Sequence, residues 1–124
     1  MRRRHVSRLL ASTPAEKPVE WRGSSRDDLR AFSDEARREA GFQIGLMQLG
    51  YDPDDWKPVP RVGAGTLEIR VRAGTEHRVF IVAKFTEALY ILHAFEKKSR
   101  KTSDRDMNIA RKRYRELIAE RGHT

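Results

Sequence analysis

The sequence predicts an α+β domain: a small antiparallel β-sheet with N-terminal helices packed on one face and a C-terminal helix. Three observations point there. Leu67, Ile69 and Val71 alternate with Glu68, Arg70 and Arg72, the period-two signature of a strand with one apolar and one charged face. Ala36, Ala40, Ile44 and Met47 recur at helical spacing, and so do Met107, Ala110, Tyr114 and Leu117. Between these helical stripes lie two further strand-like runs, His77 to Lys84 and Ala88 to Phe95, with few polar positions. Helices segregated around a run of strands is the α+β pattern.

Taken in order, residues 1–18 read as a basic, flexible tail that ends in a linker carrying Pro14 and Pro18. Residues 19–121 form the domain. Val19, Glu20 and Trp21 suit one short strand before a turn at Gly23. Ser24 or Ser25 can cap a first helix, because Asp27 and Asp28 favour its N-terminus. Ser33 caps the second, and Gly50 ends it. Gly41 and Gly45, four apart in that helix, read as a small pair that allows close packing. Tyr51 to Gly65, with three prolines and two further glycines, reads as a long loop in which Trp56 is an aromatic able to stack on a base. Ala73-Gly74-Thr75 turns the chain between strands, and Ser103 opens the last helix.

Composition narrows the function classes. The chain has 124 residues, enough for one modest core. The longest apolar runs, 79–83 and 88–92, are far shorter than the roughly 20 residues of a membrane span, so a cytoplasmic protein with no membrane partner is expected. There is no cysteine, which excludes disulfides, thiolate metal sites and a cysteine nucleophile. His5, His77, His93 and His123 lack ligand-like spacing, and neither a metal nor another cofactor is expected.

The net charge of +8 is concentrated at the two ends. Residues 1–15 carry four arginines and no acid, and residues 97–124 carry ten Lys/Arg against four acids, whereas residues 16–96 are slightly acidic. Concentrated positive charge favours a polyanion, because neutralised phosphates release counterions; a solvated helix face is the competing explanation. On the strands, Arg70 and Arg72 share a face and Arg78 stands across the hairpin. Like charges that close repel unless an anion joins them, and phosphate is the obvious anion. Pairing of Arg78 with Glu68 or Glu76 is the alternative.

Residues 19–118 resemble the phage-derived branch of the RelE/ParE toxins, which is similar to the HigB-type toxins. The resemblance runs through Trp21-Arg22-Gly23-Ser24-Ser25-Arg26-Asp27-Asp28-Leu29, Leu67-Glu68-Ile69-Arg70-Val71, His77-Arg78-Val79-Phe80-Ile81-Val82-Ala83-Lys84 and Leu92-His93-Ala94-Phe95-Glu96-Lys97-Lys98. The last block, His-Ala-Phe-x-Lys-Lys after an apolar strand, is the most distinctive. One departure is Ser103, where the family usually has proline ahead of the last helix.

The resemblance implies a RelE-like fold and the toxin of a type II toxin–antitoxin system. It implies a metal-independent endoribonuclease that cuts mRNA, commonly on the ribosome, by attack of a ribose 2′-OH on the neighbouring phosphodiester. A cognate helix-turn-helix (HigA-like) antitoxin is the implied partner. Arg70 and Arg78 match positions that hold the scissile phosphate, and Lys97 and Lys98 match the basic pair after the last strand. Glu68 is either a general base or a salt-bridge partner. His93 is either a core histidine or the catalytic acid. Arg72, Lys84, Arg100, Lys101, Arg111, Lys112 and Arg115 are expected to contact the nucleic-acid backbone. ParE-like relatives inhibit DNA gyrase without catalysis, so gyrase inhibition is the rival reading, and an inactive phage protein that only binds an antitoxin is a third. Alanine at Arg70 or Arg78 is expected to remove a phosphate ligand while leaving the fold intact.

Overall fold

The computed structural model describes residues 16–122; residues 1–15 of the expected tail, with His5, and residues 123–124 lie outside them. The elements are β1 (Val19–Trp21), α1 (Ser25–Arg30), α2 (Asp34–Gln48), β2 (Trp56–Pro58), β3 (Thr66–Ala73), β4 (Thr75–Val82), β5 (Leu89–Lys97) and α3 (Asp104–Gly122). The fold class is the α+β arrangement expected. Strand order is β1-β5-β4-β3-β2. Four strands pair antiparallel and β1 joins β5 in parallel, so the sheet is mixed through one edge strand. Just before β1, the Leu89 N–H donates to the Pro18 carbonyl and the Lys17 N–H to Gln48, which ties residues 17 and 18 to the sheet and to the end of α2.

Alternation along the strands sorts two cores. On one face Ile69, Val71, Val79, Ile81 and Ile91 pack against Leu29 of α1 and Ala36, Ala40, Ile44 and Met47 of α2. On the other, Phe80, Val82, Tyr90, Leu92 and Phe95 pack against Met107, Ala110 and Leu117 of α3 and against Val59 and Val62 from the segment after β2. The helical stripes read from the sequence are therefore the buried faces. The sheet lies between the N-terminal helices and the C-terminal one.

Local chemistry fixes the helix ends. The Ser33 hydroxyl accepts from the Ala36 N–H at 3.2 Å, and the Ser103 hydroxyl accepts from Asp106 at 3.1 Å while donating to its carboxylate at 2.7 Å. Ser103 thus supplies a side-chain cap that a proline could not. Gly50 has φ of +89° past the end of α2, the left-handed residue that closes a helix.

Three features depart from the sequence reading. Inside the expected 51–65 loop, Trp56–Pro58 pairs with β3 as an edge strand; three residues with a proline at the outer edge leave no alternation to detect. Between β4 and β5 the register slips at Phe80/Ile81, since Phe80 faces His93 and Ile81 faces Ile91. Leu92 is the extra residue of this bulge, and it turns Phe95 and Lys97 onto the α3 side of the sheet. Finally, Gly41 and Gly45 face open space, with nothing within 4 Å of where a Cβ would stand, so they pack against nothing within the described residues.

Arg113 bolts α3 to the open flank of the sheet. Its guanidinium donates to the Leu92 carbonyl at 2.9 Å and the Ser24 hydroxyl at 3.0 Å, passing over Gly23. Gly23 has φ of +55°, and a Cβ there would stand 2.4 Å from Arg113 Nε. Gly23→Ala is expected to cost at least about 1 kcal/mol from the left-handed backbone alone. Urea unfolding of Gly23→Ala and of the Gly23→Ala/Arg113→Ala pair measures the steric share, which should be missing from the coupling-corrected cost in the Arg113→Ala background. Unchanged stability of Gly23→Ala would contradict the close approach.

Candidate functional site

The α3-side face of the sheet divides into two halves. Its upper half, Phe80, Val82, Tyr90 and Leu92, is covered by α3 and the 59–62 segment. Its lower half, near the β3–β4 hairpin, carries charge instead, because Glu68, Arg70 and Arg72 of β3 and Glu76 and Arg78 of β4 all point to that side. Arg70 and Arg78 are direct cross-strand partners, as are Arg72 and Glu76. Lys57 of β2 stands opposite Glu68, and Lys97 of β5 stands opposite Glu76.

The side chains close into a ring of alternating sign. Glu68 Oε2 lies 3.3 Å from Arg70 Nε and 3.5 Å from Arg78 Nε. The Glu76 carboxylate joins Arg78 Nη2, at 2.9 Å, to Arg72 Nε, at 3.0 Å. Asp55 joins Arg72 Nη1, at 3.6 Å, to Arg70 Nη1, at 3.8 Å. Three guanidiniums are thus linked pairwise by three carboxylates. Lys57 Nζ approaches Glu68 at 3.9 Å, and Lys97 stands close enough to Arg78, Glu68, Lys57 and Arg70 to feel all of them. With both lysines counted, cations outnumber anions on this face.

Exposure splits the ring into an inner and an outer part. The side chains of Glu68 and Arg78 are only 5% and 6% exposed, Arg70 is 28% exposed, and Asp55, Glu76 and Arg72 reach 39%, 41% and 65%. Arg78 Nη1 also donates to the His77 carbonyl at 3.1 Å. Removing Arg78 would therefore strip a buried carboxylate of its closest buried cation, an imbalance that costs on the order of 3 kcal/mol. The expectation that alanine at Arg78 leaves the fold intact is corrected accordingly, and Arg70 is the cleaner probe. Glu68 at this depth is a holder of arginines. The Glu76 carboxyl sits below its ordinary range, held there first by the hydrogen bond from Arg78. The Lys97 ammonium is pushed down from its ordinary value by burial and then by Arg78.

The other expected residues scatter. Lys98 lies past the end of β5 and acts on Glu96 rather than on the ring. Arg100 and Lys101 are exposed in the connection to α3. Lys84 lies beyond the far end of β4, where its Nζ donates to the Tyr114 hydroxyl at 3.3 Å. On α3, Arg111 donates to the Arg61 carbonyl at 3.0 Å, Lys112 pairs with Glu116 at 3.8 Å, and Arg115 is exposed. Trp56 is 38% exposed, on the opposite side of the sheet from its strand neighbour Lys57.

His93 is buried in β5, stacked on Phe95, with Nε2 at 2.7 Å from Asp106 Oδ1. Its Nδ1 has no hydrogen-bond partner among the described residues. A cleft of about 570 Å³ runs beside β5, lined by His77, His93, Phe95, Arg105 and Arg113 among others, and a smaller one of about 410 Å³ opens at Asp55, Arg70 and Arg72. Both are lined by charges of either sign, and the smaller one has Glu35, Glu39, Asp54 and Asp55 against Arg38, Arg70 and Arg72. A backbone phosphate is held by cationic side chains and needs no cavity, so the candidate is the ring and neither cleft.

Sequence reasoning found Arg70, Arg78, Glu68 and Lys97 and missed Asp55, Lys57 and Glu76 as members of one site. A family model for a phage-derived Gp49-like protein (DUF891) matches residues 27–115, well over half of the chain and every member of the ring. The chain belongs to the Gp49-like family. That family is of the toxin-like, RelE/HigB type. No curated protein matches the chain. Among the described residues, no helix of this Gp49-like protein is long and apolar enough to cross a membrane.

His93 gives this subsection its test. Burial holds its imidazole below the ordinary value, outweighing the pull of Asp106. A depressed histidine binds protons less readily folded than unfolded. Stability should therefore be insensitive to His93 above about pH 7 and decline as pH falls through the unfolded value near 6.5. The urea midpoint should drop more between pH 7.5 and 5.5 in the wild type than in His93→Gln. Equal drops would show that His93 ionises freely in the fold.

Proposed function

We propose that this protein is the toxin of a type II toxin–antitoxin pair, a metal-independent endoribonuclease that acts on mRNA in the cytoplasm, on the ribosome, and is neutralised by a helix-turn-helix, HigA-like antitoxin. The observation that carries the reading is the convergence of Lys57, Arg70, Arg78 and Lys97 on one charged half-face, with Lys57 exposed, Arg70 part-exposed and Arg78 buried behind them, within a chain of the Gp49-like family. A surface used only to bind another protein gains little from packing five cations against three carboxylates. A developing phosphorane, with charge spread over its oxygens, gains a great deal.

Each residue then has a part. Arg70 offers its guanidinium to the scissile phosphate, with Arg78 behind it, and Glu68 fixes the direction of both. Lys97, whose ammonium is made more acidic than usual by burial and then by Arg78, is the proton donor to the leaving 5′-oxygen. Attack by the 2′-OH, whose proton passes to solvent water, forms the new P–O bond as the P–O5′ bond breaks and O5′ takes a proton from Lys97, leaving a 2′,3′-cyclic phosphate and a 5′-OH. Arg72, Arg100 and Lys101 extend the cationic surface for neighbouring phosphates.

Mapping transcript 5′ ends after a brief pulse of expression tests the reading. New 5′-OH ends inside coding sequence are expected, and Arg70→Ala should lower their rate of appearance by about a hundredfold, the usual effect of losing one charged transition-state contact. Intact mRNA with broken chromosomes would assign the protein to gyrase inhibition instead. Arrest without either lesion, or no arrest, would remove the nuclease reading.

A further inference from the structure

The carboxylates of the ring are not equivalent. Glu68 is buried, touches three cations and is out of reach of a ligand. Asp55 and Glu76 are two-fifths exposed, and each stands between two guanidiniums with one oxygen toward each. An anion whose separate oxygens face separate guanidiniums is what a bridging phosphate would look like at the same positions. Arg72, the most exposed member, belongs to both outer seats.

Resting on the proposed RNA-binding reading, we propose that Asp55 and Glu76 occupy the seats of two substrate phosphates, and that an RNA strand binds by exchanging its phosphates for these two carboxylates. The Asp55 pairs are part-exposed on both sides and hold weakly, so that carboxylate leaves at little cost, while Glu76 leaves an exposed Arg72 and a buried Arg78 whose charge the incoming phosphate takes over. The inner pair stays, because parting buried Glu68 from Arg78 is far more expensive. The unbound protein thereby keeps its arginines pointed and solvated side chains ordered without a phosphate present. Exchange also sets a class of ligand. A strand that offers two adjacent phosphodiesters fills both seats through Arg72, whereas a single phosphate fills one and leaves the other carboxylate in place.

The experiment is binding of a fluorescein-labelled 2′-O-methyl RNA decamer, which cannot be cleaved, followed by anisotropy. Glu76→Gln should tighten binding by about 1.5-fold to fivefold, the equivalent of one weak surface pair no longer competing. Glu96→Gln, which removes a nearby negative charge from outside the ring, controls for the general gain in positive potential and should tighten binding less. In an Arg72→Ala background, where Glu76 keeps only Arg78, the gain from Glu76→Gln should shrink. Equal gains from Glu76→Gln and Glu96→Gln, or a gain undiminished by loss of Arg72, would overturn the exchange while leaving RNA binding on this face in place. The binding reading itself fails if Arg70→Ala, unaltered in its unfolding midpoint, binds the decamer as tightly as wild type, and the exchange falls with it.

Discussion

Everything at the lower half of the sheet depends on how two arginines can face each other across β3 and β4. Arg70 and Arg78 are direct cross-strand partners, a pairing that repels on its own. Glu68, one face-position away on β3, places a single oxygen within 3.5 Å of both Nε atoms and resolves the conflict. The solution is local and geometric. Alternation puts Glu68 and Arg70 on one side of the strand, and the hairpin at Gly74 delivers Arg78 opposite. The charged half-face then needs no helix above it, which leaves α3 free to cover only the apolar half.

That division explains why the molecule carries its positive charge in two unlike forms. Two cations of α3 are occupied in holding the fold, since Arg113 reaches the β5 carbonyl and Ser24 and Arg111 reaches a loop carbonyl, while Lys112 makes only an exposed pair along the helix. The cations of the sheet are held by carboxylates that a phosphate can imitate. A count of basic residues along the chain points to the C-terminal helix, while the spatial arrangement moves the centre of interest to β3, β4 and the end of β5.

The parts of the structure that were legible in the sequence are those with a period. Alternation in β3 placed Glu68, Arg70 and Arg72 on the polar face and Ile69 and Val71 in the core, and helical spacing identified the buried faces of α2 and α3. Features that break a period were hidden. The bulge at Leu92 changes which residues share a side with no trace in composition, and it decides that Lys97 joins the ring while Lys98 does not. β2 is three residues long and ends in proline, so Lys57 and Asp55 looked like loop residues. The pairing of Arg78 with Glu68 or Glu76 had been open as an alternative to phosphate binding. Both pairs form: Glu68 holds Arg78 from the buried side, and Glu76 holds it at the position proposed for a phosphate.

The central claim is that this ring, and not α3 or the cleft beside β5, is where a nucleic-acid backbone lands. Arginine side-chain Nε–Hε resonances report on it directly, since each guanidinium gives its own signal. On titration with a non-cleavable 2′-O-methyl oligoribonucleotide, the Arg70, Arg72 and Arg78 signals should shift together and saturably, with Arg111 and Arg113 left near their starting positions because backbone carbonyls hold them. Shifts confined to Arg111, Arg113 and Arg115, with the three ring arginines unmoved, would contradict the claim and place the backbone on the C-terminal helix.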